Sequence, residues 1–252
     1  MSVNTSLLQP KRGIDLLKLK ITPLDFLLKH IPWFVDKIFF FRPTERIVEY
    51  PFVHEYISFG VGNGRILDVG SGSTLLPFEL ASKGWEVWAL DLEMGYFKAL
   101  HHANCTFIKG DIRKTNFSDD FFDVVTAVSS IEHVGLESSV VDLDGDKKAI
   151  QEIDRILKPE GMLLMTVPFG KGGVYYHKRK KNYPLFRVYD LSAINEVLSP
   201  LEIETMKFAL LDNDMSWIPC KAGEAELIDS LNQPGGWYSA KAVALVVAKK
   251  RG

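Results

Sequence analysis

The chain has 252 residues, 46% of them hydrophobic, which suits one large α/β domain with a substantial core and argues against disorder. Its 30 basic residues against 32 acidic ones leave a formal net charge of -2, which excludes a broad positive field for a nucleic-acid backbone. Cys105 and Cys220, the only cysteines, lie too far apart in sequence to suggest a disulfide framework or a thiolate metal site, and read as packing residues in a reducing compartment.

Residues 1–60 read as a helical, aromatic cap segment. The stretch "ITPLDFLLKHIPWFVDKIFFFRPTERIVEYPFVHEYISFG" is apolar but broken by Pro23, Pro32, Pro43 and Pro51, which divide it into short helices and turns. It suits a layer closing one end of a sheet, a lid over an active site, or a patch lying on a membrane surface. Arg42, Glu45, Glu49 and Tyr50 are its polar groups expected to face a substrate. No run approaches a membrane span and the N-terminus lacks a signal-peptide core, so a cytoplasmic protein without stable membrane insertion is expected.

From Arg65 the pattern changes to alternating strands and helices. "RILDV" predicts a strand, "LLPFELASKG" a helix capped at Gly84, and "EVWAL" a strand closing on Asp91. "MGYFKALHHA" follows as a helix, "CTFIKG" as a strand before Asp111, and "FFDVVTAVS" as a fourth strand. In "GDKKAIQEIDRILKPEG", Ala149, Ile150, Ile153, Ile156 and Leu157 share one helical face, with Pro159 and Gly161 as the stop. "MLLMTVPF" is a fifth strand and "LSAINEVLSP" another helix. "LEIETMKFAL" and "AKAVALVVAKK" are two long strands separated by a loop-rich insertion, 212–239, and predict an antiparallel hairpin at one sheet edge. The whole is an α/β fold, a doubly wound and mostly parallel sheet with a C-terminal antiparallel hairpin, in residues 61–252.

Ligands of such sheets sit at the C-terminal strand ends, where "LDVGSGST" places a glycine turn. A triphosphate loop needs a lysine after its last glycine, and none follows Gly72. A dinucleotide fingerprint needs glycine where Leu75 stands, and Asp68 would repel a pyrophosphate. A methyl donor with a sulfonium and an ammonium suits the acids better. Asp68 matches the ammonium, Asp91 the ribose hydroxyls, and Asp111 the adenine amine with Ile112 beside it as an apolar surface. Each acid alone also suits a turn or a helix cap.

These motifs together resemble the class I S-adenosylmethionine-dependent methyltransferase family, with its Rossmann-like fold, over about residues 50–250. "LDVGSGST" is similar to the first motif at Asp68, Gly70 and Gly72; "WALDLE", "KGDI", "FDVVTAVSSIEHVG" and "EIDRILKPEGMLLMTVPFG" are similar to the segments that follow. Thr74 stands where the family has a third glycine, which implies altered packing near the donor's methionine tail. Uncharacterised or sugar-directed members share a softer likeness. The resemblance implies S-adenosylmethionine as cofactor, held by Asp68, Gly70, Ser71, Gly72, Thr74, Asp91, Leu92, Asp111, Ile112 and Ser129.

Methyl transfer needs positioning, dryness and, for a hydroxyl acceptor, a base. His133 and Glu132, in the segment after the fourth strand, are the catalytic candidates; the alternative for His133 is a histidine tying that loop to a backbone carbonyl. Asp142, Asp144 and Asp146 alternate, but lack a calcium loop's full spacing and closing Glu, and Asp146 suits a helix N-cap, so no metal site is assigned. Tyr175, Tyr176, His177, Trp217 and Trp237 offer aromatic rims for an acceptor. Lys178, Arg179, Lys180 and Lys181 read as a solvated loop or a phosphate-binding patch, and Arg187, Tyr189 and Asp190 as acceptor contacts or a fold-fixing cluster. The expected function is methyl transfer to a hydroxyl of a small-molecule or glycan-like acceptor, with no nucleic-acid partner. An amine or nucleic-acid acceptor, or donor binding without transfer, are the alternatives.

Overall fold

The computed structural model describes residues 44–57, 64–72, 74–93, 102–136, 141–176, 183–214, 216–228 and 241–252. The helix expected in "MGYFKALHHA" falls mostly outside them, as do Arg42, His177, the basic cluster 178–181 and Trp237. Pro43–Gly252 forms one compact unit, so the later part of the expected cap segment belongs with the sheet.

Five strands run parallel: β1 (Arg65–Val69), β2 (Glu86–Asp91), β3 (Cys105–Lys109), β4 (Phe122–Val128) and β5 (Leu157–Pro168). Their short apolar runs are the ones read from sequence, because a strand covered on both faces has no polar side to show. Two further strands, β6 (Gly173–Tyr176) and β7 (Pro184–Val188), form a separate antiparallel ribbon. The sheet continues antiparallel with β8 (Glu202–Leu211), β9 (Trp217–Cys220) and β10 (Ala242–Lys249), in the order β3-β2-β1-β4-β5-β10-β8-β9. β8 and β10 pair antiparallel as expected. The sheet edge, however, is β9, drawn from the insertion that reads as loop; the final strand is inserted between β5 and β8, where its apolar run is buried along most of its length.

Helix α1 (Arg46–Tyr56) precedes β1, and α2 (Leu76–Ser82) follows it. Gly84, at φ +98°, receives the chain just past α2, and its N–H returns to Ala81 O at 3.0 Å. α3 (Gly145–Ile156) buries Ala149, Ile150, Ile153 and Ile156 completely, the face that the spacing predicts. It stops at Ile156, before Pro159, and the chain enters β5 extended from Leu157. Asp146 does not cap α3: Asp144 holds the N-cap position and Asp146 lies inside the first turn. α4 (Leu191–Val197) is capped by Asp190, whose carboxylate accepts from Ala193 N–H at 2.8 Å. A short α5 (Ala222–Glu226) follows β9.

Two buried clusters are formed. One joins α3 and α4 to β4, β5 and β10; the other joins Phe52, Val53 and Ile57 of the α1 region to Ile66, Leu76, Leu80 and Val124. α1 is thus part of the packed body.

Candidate active site

The strand order reverses between β1 and β4, and the segments leaving their C-terminal ends define the site. After β1 the chain turns through Gly70 at φ +71° and Gly72 at φ +49°. Gly70 N–H donates to Leu90 O at 2.8 Å, and Gly72 N–H to Asp91 Oδ2 at 2.7 Å, so the end of β2 holds the turn in place. A Cβ on Gly70 would come within 2.4 Å of the Ser130 Cβ, so glycine is what lets the two segments approach.

A cavity of about 360 Å³ opens there. Its wall gathers Gly70, Asp91, Leu92, Asp111, Ile112, Ser129 and His133, which are contributed by four successive strand ends. Asp68, Ser71 and Glu132 are buried and do not line it, and Gly72 and Thr74 also stand off its wall. Asp91 keeps acceptor capacity: its Oδ2 takes one bond from Gly72 N–H and its Oδ1 one from Glu93 N–H at 3.0 Å. Asp111 is more heavily committed. Arg113 grips it through its backbone N–H, Nε and Nη2, the last at 2.6 Å, and this pairing holds the carboxyl below the usual carboxylate range. Arg113 also reaches Asp142 and stands on the cavity wall; the sequence reading does not include it, although its place two residues after the strand-end acid is visible there.

Buried acids surround the β1–β4 boundary. Asp68 accepts from Thr126 Oγ1 at 2.7 Å, and burial pushes its carboxyl up to about 7 despite that bond and the nearby Arg46. Glu132 is 1% exposed and likewise pushed up to about 7, mainly by burial. Its Oε2 and the Ser130 Oγ are buried without a hydrogen-bond partner among the described residues. His133 lies in a 3-10 turn after β4, with Nδ1 2.9 Å from Leu185 O and Nε2 3.9 Å from Glu132 Oε1. A carbonyl only accepts, so Nδ1 carries a proton in this bond. It ties its loop to β7 and stands on the cavity wall.

Residues 67–165 match the family described as methyltransferase domain. Over 106 residues the chain is 30% identical to the demethylmenaquinone methyltransferase of Mycobacterium marinum, a stretch covering 42% of each chain. Over 104 residues it is 32% identical to that of Renibacterium salmoninarum, covering 40% of each. The matched stretch therefore spans well under half the length of these curated relatives. Among solved structures, an S-adenosylmethionine-dependent methyltransferase of Methanosarcina mazei covers 80% of this chain and 98% of its own, with TM-score 0.56 and 18% identity. The 1,6-didemethyltoxoflavin-N1-methyltransferase of Burkholderia thailandensis, solved with bound 1,6-didemethyltoxoflavin and S-adenosylhomocysteine, has 97% of this chain and 94% of its own covered, with TM-score 0.57 and 14% identity. Over residues 67–165 the chain is similar to methyltransferase domains, and its fold is that of these solved methyltransferases.

Among the described residues, the expected acceptor contacts separate into two groups. Arg187 is 6% exposed and donates to four backbone carbonyls, among them Val134 O and Leu143 O, both at 2.8 Å. With Asp146, which also accepts from Tyr189 OH at 3.0 Å, it forms a fold-fixing cluster that anchors the segment around His133. Tyr175 stacks on Phe186 at 5.0 Å between ring centroids, and Phe186 in turn lies 6.1 Å from the His133 ring, which extends an aromatic wall from the ribbon to the site. The structure also joins two residues of α1 to this end of the sheet. Glu49 is fully buried and accepts from Ser129 Oγ at 2.6 Å and Thr166 Oγ1 at 2.7 Å, where the sequence reading expects it to face the acceptor. Arg46, beside it, donates from Nη1 to Glu49 Oε2 at 2.7 Å and to Val128 O at 3.2 Å.

Proposed function

We propose that this protein transfers the methyl group of S-adenosylmethionine to a hydroxyl of a small-molecule or glycan-like acceptor. When bound, the donor supplies a methyl already activated by a sulfonium. Asp91 accepts from its ribose hydroxyls, Asp111 and Ile112 take the adenine, and Gly70, Leu92 and Ser129 form the rest of the wall, with Asp68, Ser71, Gly72 and Thr74 supporting the turn behind it. Three acids at three strand ends suit a ligand that is cationic and hydroxylated, and the glycine turn permits close approach of its backbone.

The observation that carries the acceptor reading is the His133 ring on the cavity wall with Nδ1 committed to Leu185 O. In this role the ring takes the proton as a hydroxyl oxygen begins to bond to carbon. Glu132, buried beside it, faces an imidazolium that forms there and steadies it. Tyr175 and Phe186 supply a flat apolar wall for a ring.

The test is transfer from labelled donor to hydroxylated small molecules and saccharides, followed by His133→Ala on whichever accepts. The single-turnover rate should fall about 10²-fold or more while S-adenosylhomocysteine affinity stays nearly unchanged. A wild-type rate in the variant removes His133 from catalysis and favours an acceptor that needs no base, such as a neutral nitrogen.

A further inference from the structure

In "KGDIRK" an arginine follows the strand-end acid by two residues. The turn after β3 folds one back on the other: Arg113 N–H donates to Asp111 Oδ1 at 2.9 Å. The guanidinium then spans the carboxylate. Nε lies 3.1 Å from Oδ1 and 3.0 Å from Oδ2, and Nη2 donates to Oδ2 at 2.6 Å. The other arm, Nη1, donates to Asp142 Oδ2 at 3.0 Å. Asp142 is itself fixed. Its N–H donates to Gly135 O at 2.8 Å, its carboxylate also takes Lys148 Nζ at 2.8 Å, and its carbonyl accepts from Arg187. Arg113 and Gly135 both line the cavity, so the Arg113–Asp142 pair joins the end of β3 to the segment after β4.

Such a fork sets two properties of Asp111 that water would leave free. The first is direction. A carboxylate has about four acceptor positions. Oδ1 takes the backbone N–H and Nε, while Oδ2 takes Nη2 and shares Nε, so the capacity left to a ligand is on Oδ2. The second is charge. The guanidinium holds the Asp111 carboxyl below the usual range, so at neutral pH the group accepts and does not donate. An acceptor fixed in this way bonds an exocyclic amine and repels a carbonyl oxygen at the same place. The two side chains are 23% and 33% exposed, a setting in which an ion pair adds little to stability. What the planar fork fixes is orientation.

We infer that Arg113, braced by Asp142, is a positioning residue that makes Asp111 select adenine over hypoxanthine in the donor. This assignment rests on the proposed methyl donor, and a comparison of two ligands separates the two. S-adenosylhomocysteine carries the exocyclic amine; S-inosylhomocysteine has a carbonyl in its place. In calorimetry on the whole chain, the unaltered protein should bind the adenine compound about 10- to 100-fold tighter, the effect of one charge-assisted hydrogen bond. In Arg113→Met, which keeps an apolar stem, that ratio should fall to about threefold or less, chiefly through weaker S-adenosylhomocysteine. Should that variant fail to fold, Arg113→Lys carries the same comparison, with an intermediate ratio because the fork is gone and the charge remains. A residue that only braces the turn would weaken both ligands alike, and an unchanged ratio overturns the assignment. So does an unaltered protein that binds S-adenosylhomocysteine without preferring it, while the donor reading stands. If the unaltered protein binds neither compound, the donor reading fails and the assignment fails with it.

Discussion

Glu132 shows how much of a residue's behaviour is set by surroundings rather than by chain position. In sequence it is an acid beside a histidine; in the fold its carboxyl is buried, with Oε2 unpartnered among the described residues and His133 Nε2 at 3.9 Å. Burial raises its folded pKa to about 7, with Glu49 also raising it and His133 and Arg46 opposing. The unfolded chain ionises near the ordinary value of 4.5, so between these two values the folded state holds the extra proton. The stability that protonated Glu132 contributes is therefore complete below about pH 4.5 and is lost as pH rises through about 7. Glu132→Gln cannot ionise. Its urea-unfolding free energy should gain about 2–3 kcal/mol on the wild type between pH 4 and pH 8. A constant difference across that range would mean that burial does not raise the Glu132 pKa in the fold.

At the scale of elements, the strands were legible because their apolar runs are uninterrupted, and α3 because its apolar face repeats at helical spacing. The acids at the strand ends were legible too, as were the glycines between them. What joins these elements was not. Glu49 and Thr166 are 117 residues apart, and nothing in "RIVEYPF" indicates that its acid will lie against the ends of β4 and β5. The β6–β7 ribbon was missed because Gly173 and the tyrosines read as loop and rim, and β9 because four residues inside a polar insertion carry little pattern. The glycine turn itself makes a sharper claim than its motif does. At Gly70, φ is +71° and an added Cβ would lie only 2.4 Å from Ser130 Cβ, whereas at Gly72, φ +49°, the nearest atom would be 3.8 Å away. Gly72→Ala should cost only the strain of a left-handed residue, about 1–2 kcal/mol of stability. Gly70→Ala carries that strain and also pushes the post-β4 segment aside, so it should cost more and weaken S-adenosylhomocysteine at least tenfold beyond the Gly72 variant. Equal affinities in calorimetry would show that this close approach does not shape the donor seat.

For the whole molecule, the question is where the cooperative body begins. The proline spacing of residues 1–60 reads as an appended segment, and a cap of that kind would unfold separately from the sheet. The packing of α1 argues otherwise for its own residues. Phe52 is 3% exposed and Val53 fully buried, and both belong to the cluster that includes Ile66 of β1, Leu80 of α2 and Val124 of β4. Glu49 adds a polar tie on the same helix, to two strands at once. Large-to-small changes in such a core remove both transfer energy and packing, and the cavity left behind is felt by the whole unit. Phe52→Ala should therefore lower global stability by about 3–5 kcal/mol, in the range of a core phenylalanine anywhere in the sheet. Unfolding followed by tryptophan fluorescence and by far-ultraviolet dichroism should shift together, because the helix and the sheet lose the same contacts. An early transition confined to helical signal, with the sheet's midpoint unmoved, would instead make α1 a detachable cap.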